Sequence, residues 1–380
     1  MPQRLSWLIA LFSVAALVPI VFHGLPILGR LPFSIGYSDV AVFYLKLAPD
    51  SAYANQPIEY PVIIVGFIRL MKIIGGSLPG YYLASAIGLA GVGAFATGIL
   101  HRMVRQGGDD RRLRWHWILA PSMVVFLTYN WDIIAVCFVV LAFLMIRKER
   151  DILAAVFLAL GASTKLYPAL YLLPLLQRQK GARRWLAVGG AFSLTAIVAN
   201  APFAIANFDA WSYFYRLNQL RPPNVDSIWG LAQYLQPFLT TPMVNAASIF
   251  LFLGGLSACL WIMRKKNIFA QCFALTLLFL LTNKVFSPQY LLWLLPFFVL
   301  LPFPSRPMIY GLEFANLVML GSILPVLLVA GTSAAYFWIA ACFVLIRHLF
   351  LGSFLWQTLG TRESIAPITV SEPKNRNAVA

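Results

Sequence analysis

Long apolar runs follow one another along most of this chain, and short clusters of arginine and lysine separate them. No other feature restricts the fold as much. The runs lack the period-2 alternation of a lipid-facing strand, which excludes a membrane β-barrel. A chain inside a bilayer must otherwise be helical, because only a helix satisfies its backbone hydrogen bonds within one segment. Charged residues make up 11% of the 380, and hydrophobic residues 60%. A soluble domain carries about 25% charged residues. The expected fold class is therefore an all-α polytopic membrane protein.

Charge then sets the orientation. Apolar spans are expected over residues 5–22, 83–100, 117–128, 133–146, 152–163, 169–176, 185–206, 244–263, 268–281, 290–301, 308–329 and 336–350, giving about 12 transmembrane helices. Basic clusters at Arg147–Arg150, Arg178–Arg184 and Arg264–Lys266 fall on one side of this alternation. Only Arg30, Lys46, Arg69, Lys72, Lys165, Arg216, Arg221 and Lys284 of the 29 basic residues fall on the other. By the positive-inside rule the basic side is cytoplasmic. Both termini are expected there, in a multi-pass protein of the cell membrane. The net charge of +16 then reads as orientation and contact with anionic lipid rather than nucleic-acid binding. The first run has one Arg before it and no small-residue cleavage pattern after it, so it reads as a retained span.

One apolar run breaks the pattern. Residues 61–74 are too few to cross, since a crossing helix needs ~20 residues. If this run crossed, Arg102, Arg105, Arg111, Arg112 and Arg114 would lie outside. The run is therefore laid in the interface as an amphipathic helix, within a first external loop of residues 24–80. Residues 1–360 form one transmembrane domain, and the polar tail 361–380 is expected to be disordered in the cytoplasm. Cys137, Cys259, Cys272 and Cys342 all sit in apolar runs and read as packing residues, not a disulfide framework.

The candidate residues lie at the external ends of the spans. Asp39, in Ile35-Gly36-Tyr37-Ser38-Asp39-Val40, is the first acidic residue of the chain. It reads either as a functional carboxylate or as a cap for a helix over 40–48. Asp132 follows Asn130-Trp131 at a tight turn, where a helix cap is again the plain alternative. Lys165 and Lys284 each end an apolar run and are followed by proline, at Pro168 and Pro288. Snorkelling to headgroups would explain each lysine. A proline break that frees backbone groups instead favours a lined cavity, and charge at membrane depth marks function by default. The two lysines are expected to converge on one anion.

The order Ser38-Asp39-Val40, Glu59-Tyr60-Pro61, Asn130-Trp131-Asp132, Lys165-Leu166-Tyr167-Pro168 and Lys284-Val285-Phe286-Ser287-Pro288-Gln289-Tyr290 resembles the polyprenyl-phosphate-dependent membrane glycosyltransferases of the C-type fold. It is most similar to their mannosyltransferase-like branch, glycosyltransferase family 87. The resemblance covers about residues 5–300. It implies a catalytic base in the first external loop, here Asp39, juxtamembrane helices in that loop, and a donor such as polyprenyl-phosphate-mannose. The departure is in histidine: the external side offers only His23.

The chemistry so implied is inverting transfer of a sugar to a lipid or glycan acceptor on the external face. A carboxylate takes the acceptor proton, and fixed cations meet the leaving phosphate. Lys165, Lys284, Arg216 and Arg221 supply such cations, and Tyr167, Gln289 and Tyr290 supply hydrogen bonds. Glu59, Tyr60, Asn130, Asp132 and Trp229 are expected to position the substrates. No cofactor is expected. Asp39, Glu59 and Asp132 would hold a divalent ion only if they converged. The alternative is a polytopic transporter or a flippase for lipid-linked sugar. Against it, no internal repeat of the span pattern is apparent.

Overall fold

The computed structural model describes residues 2–46, 58–104, 110–302, 304–328 and 334–360. Arg105 of the basic loop and the tail 361–380 lie outside the described residues.

The chain begins with α1 (Pro2–Gly24), α2 (Asp39–Lys46), α3 (Val62–Gly75) and α4 (Leu78–Val104). Then α5 (Asp110–Leu113) runs through a π turn (Arg114–Ile118) towards α6 (Pro121–Phe126). After α7 (Asp132–Arg147) and α8 (Asp151–Ala162), a 3-10 turn (Tyr167–Tyr171) leads into α9 (Leu172–Gln177). Next come α10 (Ala182–Ala206), α11 (Phe208–Leu220), α12 (Ile228–Leu235), α13 (Thr241–Met263) and α14 (Ile268–Thr282). A second 3-10 turn (Pro288–Trp293) precedes α15 (Leu295–Leu300), α16 (Arg306–Leu328) and α17 (Ala334–Gly360). There is no strand among the described residues, and the protein is an all-α polytopic membrane protein.

The helices divide by what surrounds them. Five of the described helices are long and apolar enough to cross a membrane: α1, α4, α10, α13 and most of α17. Of these, α10 and α13 turn large apolar side chains outward, including Leu194, Val198 and Phe250. Such a surface suits lipid. By contrast, α7 and α14 are apolar on every side and buried on nearly every side, as an inner helix should be. Lipid tails are as apolar as leucine, so these helices associate by close packing rather than by escape from water. Phe143 shows how tight that is, with its ring against Tyr171, Phe269 and Phe297 at centroid distances of 5.8, 5.0 and 5.5 Å.

The run over 61–74 forms α3. Val62, Val65, Ile68 and Met71 bury one stripe, while Leu70, Ile73 and Ile74 are exposed. The stripe packs on α4. Lys72 donates to the Tyr44 carbonyl at 2.9 Å, tying α3 to α2. At its end, Gly76 takes φ +67°, a left-handed value that glycine adopts without strain. Its N–H caps the Lys72 carbonyl at 2.9 Å.

Candidate active site

Asp39 is held by the turn after α6. The loop after α1 folds back so closely at Gly36 that a Cβ there would lie 2.6 Å from Pro26 Cγ. Only glycine fits. Ser38 Oγ donates to the Thr128 and Tyr129 carbonyls at 2.8 and 3.2 Å. The Asp39 N–H donates to Tyr129 O at 2.9 Å. Asp39 is the first residue of α2, but its carboxylate is taken up by other side chains. Tyr37 OH donates to Oδ1 at 2.6 Å. Asn130 Nδ2 and Tyr60 OH donate to Oδ2 at 2.6 and 3.2 Å. The Asn130 amide is oriented by the Trp131 N–H, which donates to its Oδ1 at 2.6 Å. Burial first, then the Asp39 charge, raises the Tyr37 and Tyr60 phenols well above their usual range. Both phenols therefore stay protonated as donors to the carboxylate.

A second cluster adjoins the first. Asp132, at the start of α7, lies 3.5 Å from the Lys165 ammonium. It also accepts from the Trp293 indole N–H at 2.8 Å. The Trp293 ring is sandwiched between Tyr167 at 4.1 Å and Tyr290 at 4.0 Å. Two proline-broken corners, far apart in sequence, are thereby locked on one buried carboxylate. Lys165 also sits 4.9 Å from the Tyr60 ring and 5.7 Å from the Tyr290 ring. Tyr60 thus touches both clusters, bonded to Asp39 and facing Lys165. Asp39 and Arg221 both act electrostatically on Tyr290.

Several expected positions have other partners. Lys284 donates to the Gln219 and Arg221 carbonyls at 3.1 and 2.8 Å, so it braces the loop after α11. Lys165 is paired with Asp132. The two ammoniums thus have different partners in the structure. Arg216 pairs with Asp209 in the open, and Glu59 pairs with Lys46, both about half exposed. Trp229 donates its indole N–H to Thr282 O at 2.7 Å and straps α12 to the end of α14. Arg221 donates to Asn224 Oδ1 at 2.8 Å. Gln289 is buried, with no hydrogen-bond partner on its side-chain oxygen. His23 is buried too, its ring nitrogens at 3.2 Å from Gly36 O and 2.9 Å from Val125 O. Both contacts are to backbone carbonyls, so the ring braces the loop against α6. Asp39, Glu59 and Asp132 do not gather as a metal cluster among the described residues.

One group was not anticipated. Arg347, midway along α17, is fully buried. A charge count along the sequence puts it on the cytoplasmic side. Instead its guanidinium donates to Asn316 Oδ1 at 2.9 Å and to the Asp226 carbonyl, and lies 3.7 Å from the Phe286 ring centroid. His348 likewise packs edge-on to Phe286. Asp226 is in the Arg221 loop. Burial raises its carboxyl to about 6 despite the opposing Arg347 charge. The loop that carries Arg221 is thus pinned from one side by Lys284 and from the other by Arg347. A lone Arg in a long apolar run was the available signal.

An all-helical membrane bundle with a hydrogen-bonded carboxylate beside a buried Lys–Asp pair at one end suits a membrane enzyme. The chain belongs to glycosyltransferase family 87, whose family model matches residues 58–288. Asp39 precedes that segment and joins it through Tyr60 and Asn130. The chain is 25% identical over 327 residues to the Kluyveromyces lactis protein named GPI mannosyltransferase 1, covering 78% of each. It is 26% identical over 302 residues to the Saccharomyces cerevisiae protein of the same name, covering 71% of this chain and 73% of that one.

Proposed function

We propose that this glycosyltransferase moves mannose from a polyprenyl-phosphate-linked donor to a hydroxyl of a lipid or glycan acceptor, with inversion. The sugar rests on the likeness to the two yeast relatives and the donor on the order of the external motifs. The observation that carries the reading is the Asp39 carboxylate, fixed by three donors and linked through Tyr60 to the Lys165 cluster. In the step itself the acceptor oxygen forms a bond to the anomeric carbon as the bond to the phosphate oxygen breaks. The electron pair leaves on the phosphate, and the acceptor proton goes to Asp39. Lys165 and Arg221 meet the departing charge, with Tyr167, Gln289 and Tyr290 lining the approach. Lys284 acts through the Arg221 loop. Glu59, Arg216 and Trp229 have structural roles.

A screen of lipid-linked sugar donors, read by mass spectrometry after incubation with the purified protein and a membrane extract, tests the reading. Polyprenyl-phosphate-mannose should be consumed with release of polyprenyl phosphate. A flippase would move the same lipid across a bilayer intact.

The Asp39 end is placed on the external face, with both termini cytoplasmic, by the positive-inside rule. On a Cys342→Ser background, which removes the exposed thiol, two new cysteines report the orientation. Leu28→Cys, at a 64% exposed position after α1, should react in intact cells with a membrane-impermeant maleimide. Lys148→Cys, in the tight turn after α7, should be protected until the cells are broken. The opposite pattern would invert the assignment.

A further inference from the structure

At the end of the bundle opposite Asp39, a cavity of about 230 Å³ opens between α9, the end of α13 and the start of α14. Four cations line it, Arg178, Arg264, Lys265 and Lys266, and no acidic residue does. Their commitments differ. Lys266 donates to the Leu359 carbonyl at 2.5 Å. Arg178 lies 3.5 Å from Asp151. Arg264 rests 5.0 Å from the Trp261 ring centroid, and Lys265 makes no ion pair among the described residues.

The second observation is in the cavity wall. Gln271 is 94% buried, and its amide N–H donates to Lys266 O at 2.9 Å. That bond fixes which way the amide points. Its oxygen is left buried with no hydrogen-bond partner. A buried acceptor without a donor is costly, and here its residue lines the same cavity as the four cations. The pairing suits a ligand that brings a phosphate for the cations and a hydroxyl for the oxygen.

We propose that this cavity binds the headgroup of an anionic phospholipid that carries free hydroxyls, of the phosphatidylglycerol class. The phosphate meets Arg264 and Lys265, and a headgroup hydroxyl donates to Gln271 Oε1. Basic pockets between membrane helices are suited to anionic headgroups. A lipid source fits the surroundings. Trp261 and Ile262, on the last turn of α13 just before Arg264, are 67% and 44% exposed and offer apolar surface for acyl chains. Tryptophan is also common at the headgroup level. The inference does not depend on the sugar-transfer reading.

Native mass spectrometry of the detergent-purified full chain tests it with three probe lipids: phosphatidylglycerol, phosphatidylethanol and phosphatidylcholine. Phosphatidylethanol has the same charge as phosphatidylglycerol but no headgroup hydroxyl. Phosphatidylglycerol should bind best, phosphatidylethanol next and zwitterionic phosphatidylcholine least. Arg264→Gln with Lys265→Gln, both exposed, should lower phosphatidylglycerol affinity roughly tenfold or more. Gln271→Leu should abolish the preference for phosphatidylglycerol over phosphatidylethanol. Should that variant fail to fold, the preference in the unaltered protein still decides the matter. Equal binding of all three lipids overturns the proposal, as does full affinity in the double variant. Displacement of bound phosphatidylglycerol by equimolar glycerol 3-phosphate overturns the lipid assignment, because the site would then serve a soluble phosphate ester.

Discussion

Asp39→Asn is expected to lower turnover by roughly 10²–10⁴-fold, the range for loss of a positioned base. The fold should survive the change. Asparagine has the same shape, and its amide oxygen can take the place of Oδ2, still accepting from Asn130 and Tyr60. The amide nitrogen then faces Tyr37 OH, and a phenol can accept as well as donate. Donor affinity should change little, because Lys165 and Arg221 are untouched. Steady-state kinetics with a binding titration on the same preparation separates the two effects. A purely structural Asp39 would predict near-normal turnover from this variant. Asp39→Glu keeps the charge but displaces it, and should be partly active.

Lys165→Met should act differently, on stability as well as on binding. The Asp132 side chain is fully buried, and the Lys165 side chain is 11% exposed. Removing the lysine leaves the carboxylate with the Trp293 indole alone. Breaking one side of a buried pair typically costs about 3–5 kcal/mol. A thermal unfolding scan in detergent should show a marked loss for the single variant. Lys165→Met with Asp132→Asn should recover much of it, since asparagine removes the stranded charge and can still accept from Trp293. Donor binding should stay weak in both. If the single variant unfolds like the wild type, the pair does not hold the two corners together. If the double variant binds donor normally, Lys165 does not face the phosphate.

What the sequence discloses here follows physical lines. Apolar runs and basic clusters give the helical class, and the 61–74 run, too short to cross, forms the separate 14-residue helix α3. Asn130 and Tyr60 fall beside Asp39, as their motif order suggests. The partner of each charge was not legible. Lys165 and Lys284 share a local pattern, a lysine shortly before proline, yet one meets a carboxylate and the other two backbone carbonyls. That difference arises from which loop each corner faces, and a local pattern carries no such information. Trp229 is expected from sequence to position a substrate, but its indole N–H donates to the Thr282 carbonyl at the end of α14. Arg347 was misplaced for a related reason. A charge count assigns a residue to the nearer end of its span, whereas this side chain turns inward to the Asp226 loop.

In the proposed reaction a lipid-phosphate sugar passes its mannose to an acceptor hydroxyl whose proton goes to Asp39. Release of polyprenyl phosphate from polyprenyl-phosphate-mannose, followed in a single turnover with wild-type and Asp39→Asn protein at equal donor occupancy, tests it most directly. The wild type should release one polyprenyl phosphate per sugar transferred, while the variant should hold the donor intact over the same interval. Equal release by the two proteins, or transfer by the wild type from a nucleotide sugar with the lipid donor untouched, would contradict it.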